Sequence, residues 1–344
     1  MNPYISDLLA QPAALRDLLT DYSRRTLDDL AEQLRLGKFD RIIVTGMGSS
    51  FNAAYPAILR LCGQSVPVQF VNASELLHYL DGTIGPRSLL WMNSQSGRSA
   101  EIVHLLDHLQ ARRPACILAY ANDGSSPLAL SADLWLNIHA GAESTVSTKT
   151  YINTVAANLL GAVQLTSGDL AAAMKDLLAT ADAMEAYLGD WQARVDELDS
   201  LLGHFDQLVF LGRGASMSAV WNGSLMNKEA ARCSFEGLHA AEFRHGPLEL
   251  VSRGFAAIIF AGSPQTAALN RNLALDIASN GGRVLWTDFA RDPDLTSLLL
   301  PETSELARPL MEILPLQMLT LAMAKRKGLP AAQFRYVGKV TTHE

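Results

Sequence analysis

Six residues, Ser94-Gln95-Ser96-Gly97-Arg98-Ser99, pack three hydroxyls and a glycine between an apolar run and a segment of helical period. Such a turn suits an anion. N–H groups at a helix N-terminus and the positive end of its dipole favour negative charge, and serine hydroxyls add donors without bulk. Gly97 lets the backbone come close. An ordinary serine-rich helix cap would use the same residue types. Ser49 and Ser50 shift the balance toward an anion site, because they open the helix behind Gly46-Met47-Gly48 and bring two more hydroxyls to the same sheet edge.

A second kind of chemistry resides in Lys228-Glu229 and in Glu242-Phe243-Arg244-His245-Gly246-Pro247, whose histidine lies sixteen residues beyond Glu229. A carboxylate shielded from water can lift a carbon-bound proton and return it to the neighbouring carbon, as enolisation between C1 and C2 of a sugar requires. Ring opening needs a group that titrates near neutrality, for which histidine is the natural type. A surface Glu on a helix and a His capping a turn are the plain alternatives. Glu101, His104 and His108 share a helix face, but no further ligand cluster joins them, and a solvated face accounts for them without a metal. No cofactor is implied. Arg98 either reaches the anion or points to solvent.

The elements that must position these groups alternate between short β-rich runs and longer helical ones, the pattern of a parallel sheet with helices on both faces. The fold class is α/β. Strands are expected at Arg41 to Thr45, Val66 to Val71, Ser88 to Asn93, Ala115 to Tyr120 and Leu134 to Ile138. A second set follows at Gln207 to Leu211, Ala256 to Ala261, Arg283 to Thr287 and Ser297 to Leu300. Ile102, Leu105, Leu106 and Leu109 give one apolar helix face between Arg98 and Gln110, and a long helix is expected from Arg308 to Lys327. Matching Gly46-Met47-Gly48-Ser49-Ser50 with Gly212-Arg213-Gly214-Ala215-Ser216 aligns strand, turn and helix start, which reads as an internal duplication. The stretch from Thr148 to Leu202 is helical in period and joins the halves. A dinucleotide site is disfavoured, since there is no third glycine and the second strand ends Phe70-Val71-Asn72 without an acid for the ribose.

These residues resemble the sugar isomerase (SIS) domain proteins, in particular the isomerase half of glucosamine-6-phosphate synthase and its deaminase and ketose-aldose isomerase relatives. The carriers are Gly48-Ser49-Ser50, Ser94-Gln95-Ser96-Gly97 with Ser99, Ser147-Thr148-Lys149, Gly212-Arg213-Gly214, Lys228-Glu229, Glu242 to Pro247, and Lys339. The resemblance implies two doubly wound, flavodoxin-like sub-domains of three αβα layers. It puts a sugar 6-phosphate on Ser49, Ser50, Ser94, Gln95, Ser96 and Ser99, with Thr145 and Ser147 nearby. It also makes Glu229 the C1/C2 base, His245 the ring opener and Lys339 a contact to the open-chain sugar. His245 would act in trans within a homodimer. The organisation expected is a helical segment at 1–30, a phosphate-binding domain at 31–165, a connector at 166–202, a second domain at 203–330 and a closing tail at 331–344.

Two departures bear on the reaction: Met226 stands where the synthase often has lysine, and the loop Glu143 to Ser147 is one residue short. The second half offers only Gly262-Ser263-Pro264-Gln265 in place of a serine loop, so one phosphate site per chain is expected. Isomerisation, deamination and deglycation share the enolisation step and stay open. A non-catalytic phosphosugar sensor would need the phosphate loop but not Glu229, His245 and Lys339 together. The chain starts without a cysteine nucleophile for a glutaminase. The net charge of -7 gives no field for nucleic acid. No apolar run approaches the roughly 20 residues of a membrane span. With three cysteines in no metal-like spacing and no leader pattern at the start, the expectation is a cytoplasmic protein.

Overall fold

The computed structural model describes residues 2–22, 25–336 and 338–343. They form two compact units, Ala10–Leu178 with Arg335–Glu344, and Met1–Leu9 with Ala179–Phe334. We call these the first and second units, after the order of their sheets.

In the first unit, β1 (Arg41–Gly46), β2 (Val68–Asn72), β3 (Ser88–Asn93), β4 (Cys116–Ala121) and β5 (Leu134–Asn137) form one sheet in the order β2-β1-β3-β4-β5. All its pairs are parallel. Strands β3 and β4 are buried throughout, as continuous apolar runs must be when both faces are covered. On one face Ile43, Leu90, Met92, Ile117 and Ala119 pack with Ile102, Leu105, Leu106 and Leu109 of the helix Ala100–Leu109. The opposite layer holds the helices Gly48–Leu61 and Lys149–Leu165, which pack on each other. The second of these is buried around its whole circumference beyond Lys149, the mark of an interior helix. It approaches the sheet at Gly161, where a Cβ would strike the Tyr120 hydroxyl and the Trp91 ring. Those two rings stack with centroids 5.3 Å apart.

The second unit repeats the plan with β6 (Gln207–Gly212), β7 (Glu236–His239), β8 (Phe255–Phe260), β9 (Arg283–Asp288) and β10 (Thr296–Leu299), all parallel, in the order β10-β9-β8-β6-β7. Counted along the chain, each sheet has the order 2-1-3-4-5. The helix Pro264–Ser279 lies in one layer, its Leu273, Ala274 and Ile277 packed with Val209, Leu211, Ala257, Ile259 and Val284 of the sheet. The helices Met217–Ala231 and Arg308–Arg326 pack on each other.

Strand β7 has no counterpart in the sequence expectation. Its four residues, Glu236-Gly237-Leu238-His239, carry a single aliphatic side chain, and it forms because Val209 to Gly212 of β6 offers an open edge. Strand β2 starts at Val68 and not Val66, and β10 ends at Leu299, each a shift of one or two residues at a frayed end. Three helices occupy the expected helical stretch: Lys149–Leu165, Leu170–Gly189 and Trp191–Leu202. Among the described residues, no helix is long and apolar enough to cross a membrane. Cys62 is exposed, Cys116 and Cys233 are buried, and all three are free thiols.

Filling the space at Gly161 forces the buried helix off the sheet. Gly161→Val is expected to lower stability by about 1–3 kcal/mol, the usual cost of overpacking a filled core. Urea unfolding followed by Trp fluorescence checks this, and an unchanged midpoint would refute the packing assigned to Trp91 and Tyr120.

Candidate functional site

In the first sheet β1 lies between β2 and β3, so the chain leaving β1 turns to one face and the chain leaving β3 turns to the other. A crevice opens where they part, at the carboxyl ends of the strands. Residues 47–50 leave β1 and residues 94–99 leave β3 at this point. Asn93 closes β3 and ties the floor of the crevice. Its side-chain N–H is directed at the Thr45 carbonyl at 3.4 Å, and its Oδ1 accepts from Asn158 Nδ2 at 2.7 Å, which joins both strands to the buried helix Lys149–Leu165.

Above this floor the serines converge. The Gln95 N–H donates to Ser50 Oγ at 3.3 Å, and the hydroxyls of Ser94 and Ser99 lie 3.4 Å apart. Ser94 Oγ accepts from the Gly97 N–H at 3.2 Å, and Ser96 Oγ from the Arg98 N–H at 3.2 Å. Gly97 has φ +61°, and a Cβ there would run into Ser126. Among the described residues, the N–H groups of Ser96 and Ser99 have no acceptor. Arg98 leans away. It donates to Asp123 at 2.7 Å and Ser125 at 3.1 Å, and that contact holds the Asp123 carboxyl down at about 2. Ser49 is half-buried on the first turn of its helix. His108 pairs with Asp81 at 3.1 Å, while Glu101 is buried.

The tail enters the same unit. The Thr341 carbonyl accepts from the Ala100 N–H at 3.1 Å, at the start of the helix behind the serine loop. Lys339 Nζ donates to Glu143 Oε2 and, at 2.7 Å, to the Thr145 carbonyl. Thr145 is buried, and its hydroxyl has no hydrogen-bond partner among the described residues. Ser147 is half-buried in the same loop. Sequence reasoning named this loop but passed over Glu143, whose carboxylate is fully enclosed. The signal was slight: an acid just ahead of Thr148 and Thr150, at the start of a helix.

The first unit thus brings together Ser50, Ser94, Gln95, Ser96 and Ser99, and separately Lys339 and Thr145. Glu229 and His245 belong to the second unit. Glu229 is half-buried near the end of the helix Met217–Ala231, which stops at Arg232 in the left-handed region. Its neighbour Lys228 reaches back to Ser224 Oγ at 2.8 Å. Glu242 is exposed on the short helix Ala240–Phe243, and His245 is exposed in the turn that follows it. Met226 is buried, its sulfur 3.4 Å from the Tyr4 hydroxyl, so it fills core space.

The second sheet has its own point of divergence, between β6 and β8, and what stands there is different. Glu312 is fully buried in the helix Arg308–Arg326 and accepts from Ser216 Oγ at 3.0 Å. Arg308 lies 3.9 Å from Glu312 and 3.2 Å from Asp288. Burial nevertheless pushes the Glu312 carboxyl up to about 8, against the pull of Arg308 and the Ser216 hydrogen bond. An acid inside Leu310-Met311-Glu312-Ile313-Leu314 was a visible signal that sequence reasoning did not use.

The model of the SIS domain family matches residues 36–164 and 202–293. A curated relative is the isomerizing glutamine–fructose-6-phosphate aminotransferase of Mycolicibacterium smegmatis, 27% identical over 99% of this chain. The chain spans 57% of that relative's length. Among solved structures, the C-terminal domain of glucosamine-fructose-6-phosphate aminotransferase from Francisella tularensis superposes with TM-score 0.85 at 21% identity, covering 97% of this chain and 98% of that one. Tagatose-6-phosphate ketose/aldose isomerase from Escherichia coli gives 0.80 at 19% identity, over 95% and 94% of the two chains. Glucosamine-6-phosphate deaminase from Thermotoga maritima gives 0.77 at 18%, over 98% and 99%. At these identities the structures establish the fold.

The buried Glu312 makes a pH prediction. A carboxyl raised on folding keeps its proton while the unfolded chain loses it, so stability falls as pH rises from the ordinary carboxyl range to about 8 and levels off above. Glu312→Gln removes that slope and retains an acceptor for Ser216. The variant should gain on wild type in urea unfolding between pH 5 and 8, and parallel curves across that range would contradict a protonated Glu312.

Proposed function

The chain belongs to the SIS domain family, and from that premise we propose that it acts on a hexose or hexosamine 6-phosphate, opening the ring and moving a proton between C1 and C2. The observation that carries the reading is the convergence of Ser50, Ser94, Gln95 and Ser99 at the divergence of β1 and β3, beside two N–H groups that have no acceptor. This is a donor-rich, sterically open cradle at a helix start, of the kind that binds phosphate. The aminotransferase, isomerase and deaminase among the similar proteins all carry a sugar 6-phosphate in their names, which agrees with it.

On this reading the 6-phosphate lies on Ser49, Ser50, Ser94, Gln95, Ser96 and Ser99, with Thr145 and Ser147 toward the sugar. Thr145 has a buried hydroxyl to spare for it. His245 passes a proton to the ring oxygen. Glu229 then takes the C2 proton and returns it at C1, so that an aldose becomes a ketose, or a 2-amino sugar becomes an imine that water cleaves to ketose and ammonia. Lys339 supplies an N–H to the open-chain oxygens as they gain charge. The exposure of His245 suits a group that serves the partner chain of a homodimer. The domain at 31–165 would bind phosphate, that at 203–330 would supply Glu229 and His245, and 331–344 would close the site. The free thiols suit the reducing cytoplasm.

Two substitutions separate binding from chemistry. Ser96→Ala should weaken sugar-phosphate binding about tenfold, the worth of one charge-assisted hydrogen bond, and titration calorimetry showing equal affinity would remove this loop from the site. Glu229→Gln keeps the shape and loses the proton acceptor, so turnover should fall at least about a hundredfold with binding nearly intact. Exchange of the C2 proton in heavy water reads that step directly. Exchange at the wild-type rate would shift the base to His245 or Glu242.

A further inference from the structure

We infer that Glu143 is a positioning residue, which holds the C-terminal tail on the first unit by its ion pair with Lys339 and thereby presents Lys339 to the sugar; the part about the sugar rests on the function proposed above.

The Glu143 carboxylate has no solvent exposure, while the Lys339 side chain keeps 22% of its own. Its oxygens accept from the Thr148 N–H at 2.9 Å and hydroxyl at 2.9 Å, from the Thr150 N–H at 3.2 Å and hydroxyl at 2.6 Å, and from Lys339. Four of these five donors are neutral and belong to the start of the helix Lys149–Leu165 and the residue before it. Lys339 alone brings a charge, and it comes from the tail. A buried carboxylate stripped of its cation is left uncompensated, which is far costlier than losing a surface pair. Undocking the tail therefore carries a penalty that resides at Glu143.

The same contact aims Lys339. An ammonium has three N–H donors. Glu143 and the Thr145 carbonyl take two, so one is left for an oxygen of the substrate, in the loop that also carries the unpartnered Thr145 hydroxyl. Two residues on, the Thr341 carbonyl accepts from Ala100 at the start of the helix behind the serine cradle. One short stretch of tail thus bridges the loop of residues 143–148 and the cradle of residues 94–99, and Glu143 is its charged anchor.

The test compares Glu143→Gln, Lys339→Met and the double variant in the full chain, by hydrogen exchange without sugar and by turnover of a sugar 6-phosphate. Glu143→Gln keeps one oxygen for the Thr148 N–H and hydroxyl and the Thr150 N–H, turns its amide N–H toward the Thr150 hydroxyl, which can accept it, and should leave global unfolding close to wild type. It should speed exchange in peptides covering 338–343 by about tenfold or more, as loss of one charge-assisted contact predicts. Lys339→Met should free the tail to the same extent, and serves alone if Glu143→Gln does not fold. In turnover, Glu143→Gln should lower kcat with KM little changed, and should add less than about twofold once Lys339 is already Met. Unchanged tail exchange in either single variant overturns the anchor. An undiminished kcat effect of Glu143→Gln in the Lys339→Met background overturns the positioning role. A wild-type protein that turns over no sugar phosphate refutes the proposed reaction, and the exchange experiment still decides the anchor.

Discussion

The structure depends on one topological constraint: the first strand of each sheet sits between the second and third, with all strands parallel. Right-handed crossovers then send the chain after β1 and the chain after β3 to opposite faces, and backbone must leave the sheet there without a neighbour to cover it. That exposed edge is where N–H groups at helix starts become available to a ligand. In the first unit it is held rigid from below by polar side chains that contact each other inside an apolar layer. Asn158 donates to Asn93, and Asn93 reaches the Thr45 carbonyl. Buried amides at this depth are costly unless paired, so their pairing locks the helix Lys149–Leu165 to the end of β3.

Given that constraint, the two units show what a fold leaves open. Both sheets have the same strand order, yet the first places hydroxyls at its divergence and the second places a buried acid. Ser216 occupies the second unit's version of the place held by Ser50 in the first, but its hydroxyl is spent on Glu312, whereas Ser50 accepts from the Gln95 N–H and keeps its own proton for another acceptor. A carboxyl pushed up to about 8 is largely neutral near pH 7, so it costs less to bury there than a carboxylate, and being fully buried it is closed off from a ligand. The inequality of the halves lies in side-chain chemistry at two equivalent turns.

Much of this was legible in the sequence because it is written in local pattern. Continuous apolar runs at Ser88 to Asn93 and Ala115 to Tyr120 mark strands buried on both faces, and Ile102, Leu105, Leu106 and Leu109 mark a helix face. Strand β7 was not legible, since Glu236-Gly237-Leu238-His239 has neither alternation nor bulk; it is a strand only because β6 presents an unpaired edge. The serine cradle could be read because its members are six consecutive residues plus a pair at the matching turn. The pairing of Glu143 with Lys339 could not, because the two are 196 residues apart and no local pattern links them. Arg98 shows the limit from the other side: its place left a phosphate contact and a solvent-facing side chain equally open, and only the fold reveals Asp123 within 2.7 Å.

The pairing of Arg98 with Asp123 bears on the kind of anion site proposed above. An arginine fork on a phosphate binds strongly and bidentately, whereas here the guanidinium is matched by a carboxylate held down at about 2, so the two charges cancel across the working range of pH. What remains around the cradle is neutral: five side chains, the dipole of the helix Ala100–Leu109 and main-chain N–H groups. Neutral donors give individually modest contributions that are strongly directional. On the proposed function such a cradle would distinguish a tetrahedral oxyanion by the placement of donors, and would let it leave without separating a full charge. Lys339 reaches the loop of residues 143–148 from the C-terminal tail, and there it is bound to Glu143. The tail thereby places positive charge beside the loop that carries Thr145, and on the proposed function that is away from the phosphate.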